Sequence, residues 1–353
     1  MKRIRVLVIE DSLTVRRLLV DALSAHADFE VVGEAVNGKE GIELCQSIRP
    51  DAVTLDMMMP VMNGLAATEF IMAYCPTPLL IVSSSVNRGD LFKTYEALAA
   101  GALDVLEKPA ATESNSEWEK KLVSALRLIS RIKVITHPRA RLGRMGSALP
   151  GEAFFPKAHE RGIRLVVMGA STGGPGAILE ILKGLPSAYP LPILLVLHLN
   201  PIFGSAFADW LDATSPLRVA FAKDGEALPA PGDSRLILAP PDFHMLIREG
   251  RICLTQDPER HSCRPSVDVL FESAAMELGA AVAGCLLTGM GKDGASGLLA
   301  IQSAGGTTLA QDAETSVVFG MPREAILLGA AQKVLPLPQI AQALSALAKG
   351  TPA

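Results

Sequence analysis

Ala52-Val53-Thr54-Leu55-Asp56 is a short run of strand-forming residues that stops at a carboxylate. The same pattern recurs on both sides of it. VLVI (6–9) runs into Glu10-Asp11, LLIV (79–82) into Ser83, and LDVL (103–106), after one glutamate, into Lys108-Pro109. Runs this short and apolar read as buried parallel strands. A further strand is expected over 30–36. After Asp11, Leu13, Val15, Leu18, Leu19, Ala22 and Leu23 follow helical spacing, and other helices are expected over 38–48, 64–74 and roughly 90–100. Gly101 suits a helix C-cap. Trp118, Leu122, Ala125, Leu126, Ile129 and Ile132 form the stripe of a last amphipathic helix, which completes five βα units. An open doubly wound sheet gathers the carboxyl ends of its strands at one crevice. Glu10, Asp11, Asp56, Ser83 and Lys108 should therefore meet there. Crowded carboxylates repel unless a cation sits among them, and all-oxygen ligands suit Mg²⁺. A lysine and a hydroxyl facing Asp56 would neutralise a phosphoryl group carried on it. The expectation is a phosphorylatable Asp56 with Glu10, Asp11 and Asp56 as metal ligands and Ser83 and Lys108 as the responding groups.

The rest of the chain must supply a second domain, because 353 residues exceed one ordinary core. A hydrophobic content of 49% with 20% charged residues describes a soluble globular protein. The net charge of −4 gives no bulk signal for nucleic acid, and no nucleic-acid partner is expected. LPILLVL (191–197) is far shorter than a membrane span, so no membrane insertion is expected. The basic N-terminus precedes an apolar run of about five residues that meets Glu10-Asp11 at once, a strand rather than a signal peptide. Cys45, Cys75, Cys253, Cys263 and Cys285 are scattered and form no CxxC, as expected of reduced thiols in a cytoplasmic protein. Residues 127–144 carry six Lys or Arg and no acid, and 138–160 hold three prolines with Gly143, Gly146 and Gly151. The expected division is a first domain over 1–135, a linker over 136–160 and a second domain over 161–347.

A second α/β pattern starts at IRLVVMGA (163–170) and continues through LPILLVLHL (191–199), RLILAP (235–240) and VAGCLLTGM (282–290). Helical stretches near 175–184, 203–213, 266–279 and 294–304 separate these runs, favouring another mostly parallel sheet. GASTGGPGA (169–177) places Ser171 at a tight strand-to-helix turn. It satisfies G-x-S-x-G, which alone is a weak signal, and a glycine-rich helix N-terminus could equally cradle phosphate. The dinucleotide template fails because Ser171 stands at its second glycine, and the G-K-[ST] ending of a P-loop is missing. His198 closes the next strong strand, and Asp293 follows CLLTGMGK. Taken singly, such a histidine is structural more often than not, and Asp293 is a turn or helix-cap residue. Together, at the carboxyl edge of one sheet, they read as nucleophile, base and orienting acid. The amides of Thr172-Gly173 and of the loop Thr288–Gly294 are candidates for holding an oxyanion. The chain order Ser, His, Asp differs from that of α/β-hydrolases. No HExxH, CxxC or clustered His/Asp spacing calls for a metal, so no cofactor is expected in this domain.

With these residues in place, the whole chain resembles the chemotaxis response-regulator protein-glutamate methylesterase/protein-glutamine glutaminase family. Glu10-Asp11, Asp56 within LDMMMPVMNG, Ser83 and Lys108-Pro109 match its receiver. GASTGG, the histidine strand, RPSVDVLF (264–271), LLTGMGKDGA (286–295) and AQDAETSVVFGMPREA (310–325) match its esterase. The resemblance implies two doubly wound parallel-sheet α/β domains, an N-terminal flavodoxin-like receiver and a C-terminal Ser-His-Asp esterase. It implies Ser171, His198 and Asp293 as the triad, with the Met290 N–H at the oxyanion and Thr172 as polar support. The implied substrates are glutamyl methyl esters on methyl-accepting chemoreceptors, hydrolysed to carboxylate and methanol, with receptor glutamines deamidated at the same site. A histidine kinase is the implied phosphodonor. The enzyme is expected to be a monomer whose receiver masks the cleft until Asp56 is phosphorylated. The alternative is a catalytically weak docking protein in a two-component pathway, although no triad residue is missing. Three positions depart from the family. Leu197 and Leu199-Asn200-Pro201 flank His198 where Gln-His-Met-Pro is common, Cys263 stands where relatives often carry histidine, and Val105 replaces an aromatic residue. With Val105 there is no aromatic rotamer to switch, so Ser83 and backbone movement must carry the signal.

Overall fold

The computed structural model describes residues 2–84, 88–109, 115–132, 134, 162–199, 201–204 and 206–348; the expected linker lies outside these residues. Two units divide the chain, Met1–Ser147 and Ala148–Ala353. The first contains β1 (Ile4–Ile9), α1 (Leu13–Ser24), β2 (Phe29–Ala35), α2 (Gly38–Ile48), β3 (Ala52–Leu55), α3 (Gly64–Tyr74), β4 (Leu79–Ser83), α4 (Arg88–Ala99), β5 (Asp104–Glu107) and α5 (Asn115–Ile129). Its strands pair in parallel in the order β2-β1-β3-β4-β5. Strand order reverses between β1 and β3, so the residues following these two strands, Glu10-Asp11 and Asp56, flank the switch-point crevice. Short polar side chains start the helices. Asn37 Oδ1 accepts from Glu40 N–H at 3.0 Å and Asn63 Oδ1 from Ala66 N–H at 2.9 Å, caps worth about 1 kcal/mol each. Trp118, Leu122, Leu126 and Ile129 bury the expected stripe of α5, together with Val123. Ile132 lies past the helix end and is only half-buried.

The second unit contains β6 (Leu165–Ala170), α6 (Gly174–Gly184), β7 (Ile193–Leu197), α7 (Pro201–Gly204), α8 (Phe207–Thr214), β8 (Arg218–Phe221), β9 (Arg235–Leu238), β10 (His244–Arg248), β11 (Arg251–Thr255) and α9 (Val267–Leu278). It continues with β12 (Val282–Leu286), α10 (Ala295–Ser303), β13 (Thr307–Gln311), α11 (Met321–Leu327), β14 (Lys333–Leu335) and α12 (Leu337–Ala348). Seven strands form a sheet in the order β14-β13-β12-β6-β7-β9-β8, and every pairing within it is parallel. β6 is the pivot: the chain first builds one side of it, through β7, β8 and β9, and then the other, through β12, β13 and β14. Ser171 follows β6, His198 follows β7 and Asp293 lies in the loop after β12, so three neighbouring strands deliver them to one edge. An antiparallel hairpin, β10 with β11, lies outside this sheet and was not expected. It packs on α9, whose Val267, Leu270, Phe271 and Ala274 join the buried core.

Candidate active site and phosphoacceptor site

Glycine geometry sets the Ser171 turn. Gly173 adopts φ +78° and caps α6, and an added Cβ there would come within 2.5 Å of Val317. Opposite, a Cβ on Gly289 would lie 2.3 Å from Met321 Sδ and 2.8 Å from Ser171 Cβ. The loop after β12 thus lies directly against the serine because position 289 has no side chain. Ser171 N–H donates to Thr288 O at 3.0 Å, and Thr288 Oγ–H donates to Thr172 O at 2.9 Å, tying the two loops together.

Of the amides expected at an oxyanion, two are already engaged: Thr288 N–H donates to Gln311 Oε1 at 2.8 Å and Gly289 N–H to Val318 O at 3.0 Å. Those of Thr172 and Met290 donate to no acceptor among the described residues.

His198 Nε2 hydrogen-bonds Asp293 Oδ2 at 2.9 Å, with the side chains 15% and 3% exposed. The ring's other nitrogen, Nδ1, is therefore the one left to exchange protons. Among the described residues no hydrogen bond joins Ser171 Oγ to His198. Such contacts tighten in the substrate complex in many enzymes. Burial pulls the His198 pKa down, but the hydrogen bond donated to Asp293, together with Cys263, outweighs it and raises the value to about 9.

Asp293 is held more firmly than its sequence context suggested. Oδ1 accepts from Ser266 Oγ–H at 2.7 Å and Asp268 N–H at 3.1 Å, and Oδ2 from Val267 N–H at 2.7 Å as well as from His198. These donors are the first turn of α9, so the carboxylate sits at a helix N-terminus, where anions are stabilised. It does not cap α10, whose N-cap is Gly294. Burial opposes ionisation, yet His198, Ser266 and the Val267 amide together hold Asp293 below the usual carboxylate range. Ser266 is itself fixed from behind, because its N–H donates to His244 Nδ1 at 3.1 Å. His244 is 2% exposed and plays a structural part. Ser266 and the α9 amides were missed; the signal was in RPSVDVLF, a serine at a helix start with no cap partner of its own.

In the first unit, Lys108 Nζ lies 2.9 Å from Glu10 Oε2, 3.0 Å from Glu10 Oε1 and 3.0 Å from Asp56 Oδ2. Glu10 is fully buried, Asp56 and Ser83 are 2% exposed, and Asp11 faces solvent. Burial, then the charge of Asp56, raises the Glu10 pKa to about 7, and burial raises Asp56. Glu10, Asp11 and Asp56 bring one oxygen each within 4.8 Å of one another. Glu10 Oε2 is buried and, its ion pair with Lys108 aside, accepts no hydrogen bond. Repelling carboxylates whose oxygens are so incompletely hydrogen-bonded fit a small hard cation such as Mg²⁺. The Lys108 N–H donates to Ser83 O at 3.0 Å, joining the ends of β4 and β5. Val105 is buried in β5 at 6% exposure.

Residues 166–344 match the family model of the CheB methylesterase, and residues 6–116 match that of the response regulator receiver domain. The chain belongs to the CheB methylesterase family. The protein-glutamate methylesterase/protein-glutamine glutaminase 2 of Anaeromyxobacter dehalogenans is 42% identical over 346 residues, covering 98% of this chain and 97% of that protein. The corresponding protein of Nitrosospira multiformis is 41% identical over 350 residues, with the same two coverages. Among solved structures, the CheB methylesterase catalytic domain of Thermotoga maritima is 40% identical, with a TM-score of 0.49, covering 52% of this chain and 98% of that domain. Both parts of a CheB protein, receiver and methylesterase, are therefore present, and no described helix is long and apolar enough to cross a membrane.

Proposed function

We propose that this chain is a cytoplasmic, monomeric hydrolase that demethylates glutamyl methyl esters on chemoreceptors and deamidates receptor glutamines, under control of phosphorylation at Asp56 by a histidine kinase. The observation that carries the reading is the His198–Asp293 pair, fixed at the N-terminus of α9, at the sheet edge that also holds Ser171. Ser171 Oγ attacks the ester carbonyl carbon while His198 Nδ1 takes its proton, and Asp293 stabilises the imidazolium through Nε2. The carbonyl oxygen becomes an oxyanion, met by the amides of Thr172 and Met290. Collapse of the tetrahedral intermediate expels methanol, which leaves with the proton from His198. Water then repeats the sequence on the acyl-serine and releases the glutamate carboxylate. With a glutamine substrate ammonia leaves in place of methanol, so one site serves both reactions.

In the receiver, Glu10, Asp11 and Asp56 would hold Mg²⁺, which supplies charge neutralisation for phosphoryl transfer. Lys108 lies 3.0 Å from the acceptor carboxylate and Ser83 ends the neighbouring strand, and a phosphoryl group there would draw both toward its oxygens. The test is methanol release from a methylated receptor fragment. Ser171→Ala should lose all but the small rate enhancement left by oxyanion and binding contacts, about 10³-fold over water, while keeping its fold. Turnover near wild type in that variant would refute the assignment.

A further inference from the structure

The proposed reaction makes no use of Cys263, yet its sulfur lies 3.7 Å from His198 Nδ1, the nitrogen that must serve Ser171. The turn that presents it is well anchored. Arg260 N–H donates to Cys263 O at 3.2 Å and Cys263 N–H to Arg260 O at 2.9 Å. The two central residues, His261 and Ser262, have φ of 52° and 59°. Positive φ at both centres is the mark of a type I′ turn, here built without glycine or asparagine. The Arg260 guanidinium grips Glu272 of α9 through two hydrogen bonds, one of them at 2.6 Å, and His261 Nε2 lies 3.2 Å from Asp268 Oδ2 on the same helix. The helix that holds Asp293 therefore also holds the turn that carries Cys263.

The thiol has the surroundings of a reactive one. An imidazole backed by a carboxylate is the arrangement that turns a thiol into a nucleophile. His198, Cys263 and Asp293 bring donor atoms within 4.8 Å of one another. The Asp293 oxygens already accept four hydrogen bonds, however, which leaves Nδ1 as the sulfur's partner in this cluster; the S–H also reaches the His261 carbonyl oxygen at 3.4 Å. Cys263 is half-buried and can be reached, whereas Cys45, Cys75 and Cys285 are buried. Cys253 on β11 is the other half-buried thiol, with no imidazole hydrogen-bonded to it among the described residues.

We propose that Cys263 is a covalent modification site for hydroperoxides and other soft electrophiles, activated by His198, and that its modification silences the esterase by blocking His198 Nδ1. The silencing rests on the esterase reading; the reactivity of the thiol does not. The S–H proton passes to Nδ1, giving an imidazolium held by Asp293. The thiolate attacks the outer oxygen of a hydroperoxide, the S–O bond forms and the O–O bond breaks. The departing alkoxide takes the proton from His198 as an alcohol, so sulfur is oxidised to a sulfenic acid and the peroxide is reduced. With an alkyl iodide the S–C bond forms as C–I breaks, and iodide leaves.

The full chain is treated with iodoacetamide, and separately with hydrogen peroxide and a sulfenic-acid trap. Labelling is followed by peptide mass spectrometry, and each protein's esterase activity is scored against its own untreated value. Cys263 should label about tenfold faster than Cys253, with activity falling in step. Cys263→Ala should keep its own starting activity through the treatment. Ser171→Ala, which has no esterase to lose, should still label at Cys263 at the wild-type rate, so the thiol's reactivity is read independently of the esterase. His198→Gln should slow Cys263 to the rate of Cys253; should that variant not fold, the ratio of the two thiols in the wild-type chain still decides. Labelling of Cys263 no faster than of Cys253, or full esterase activity with Cys263 fully modified, overturns the proposal.

Discussion

Asp293→Asn strikes the candidate active site where it is most constrained. Each carboxylate oxygen accepts two hydrogen bonds, Oδ1 from Ser266 Oγ and Asp268 N, Oδ2 from His198 Nε2 and Val267 N. An amide keeps one acceptor oxygen and makes the other position a donor, so a buried backbone N–H, that of Val267 or of Asp268, faces a donor whichever way it turns. The charge lost is also the partner of His198. Raising that imidazole from 6.5 to about 9 corresponds to about 3 kcal/mol, an upper bound because Cys263 contributes to the shift. Unpaired buried donors add about 1–3 kcal/mol. Urea unfolding near pH 7 should show a loss of about 3–5 kcal/mol, and ester turnover should fall by about 10⁴-fold. The pH dependence follows from the direction of the shift. The folded value lies above the unfolded 6.5, so this stabilisation is complete below 6.5 and fades as pH rises through about 9. The stability gap between wild type and variant should therefore be widest at about pH 6 and narrow toward about pH 10. Catalysis runs the opposite way, since the base must be neutral. Wild-type kcat/KM should climb with pH to a midpoint at about 9, and the variant's limb should move to lower pH. A gap that stays constant over this range, or a turnover loss below about tenfold, would show that Asp293 is not the acid that holds His198.

Gly289→Ala should cost about 1–3 kcal/mol of stability and most of the activity, because its Cβ would come within 2.8 Å of Ser171 Cβ and 2.3 Å of Met321 Sδ; urea melts and ester turnover check both. Lys108→Ala leaves Glu10 and Asp56 buried without their cation, and thermal melts should show a loss of about 3 kcal/mol that millimolar Mg²⁺ largely restores and a chelator returns. The unit Ala148–Ala353 contains every proposed catalytic residue, so as a separate fragment it should hydrolyse a methylated receptor faster than the unphosphorylated full chain, with the phosphodonor-treated chain in between. A folded fragment no faster than the full chain would mean that the receiver activates by another route than restraint.

Strand ends carried the legible part of the sequence. Glu10, Asp56, Ser171 and His198 each follow an apolar run, and the parallel sheets placed them as the runs implied. Helix starts were readable too: α2 and α3 begin where Asn37 and Asn63 offer a cap. What stayed hidden depends on distant partners. The β10–β11 hairpin turns on Glu249-Gly250, with φ of 52° and 69°, a pair that lacks the usual Asn-Gly or Asp-Gly signal. Residues 253–255 of β11 are all half-buried, so its alternation is blurred. Asp293 was legible as the orienting acid, but nothing showed how it is held, because Ser266, Val267 and Asp268 lie 25–27 residues earlier in the chain. Nothing in the spacing of Cys263 announced its contact with His198, 65 residues away.

The seat of Asp293 has a consequence for watching the enzyme at rest. The amide protons of Val267 and Asp268 are bonded to that carboxylate and not to water. Each can exchange with deuterium only when Asp293 leaves its place, so two backbone positions act as a clock for the site's spontaneous opening. A ligand that traps the imidazolium should slow the clock without touching either amide. The integrity of the acid–base pair can thus be timed with no substrate present and no turnover.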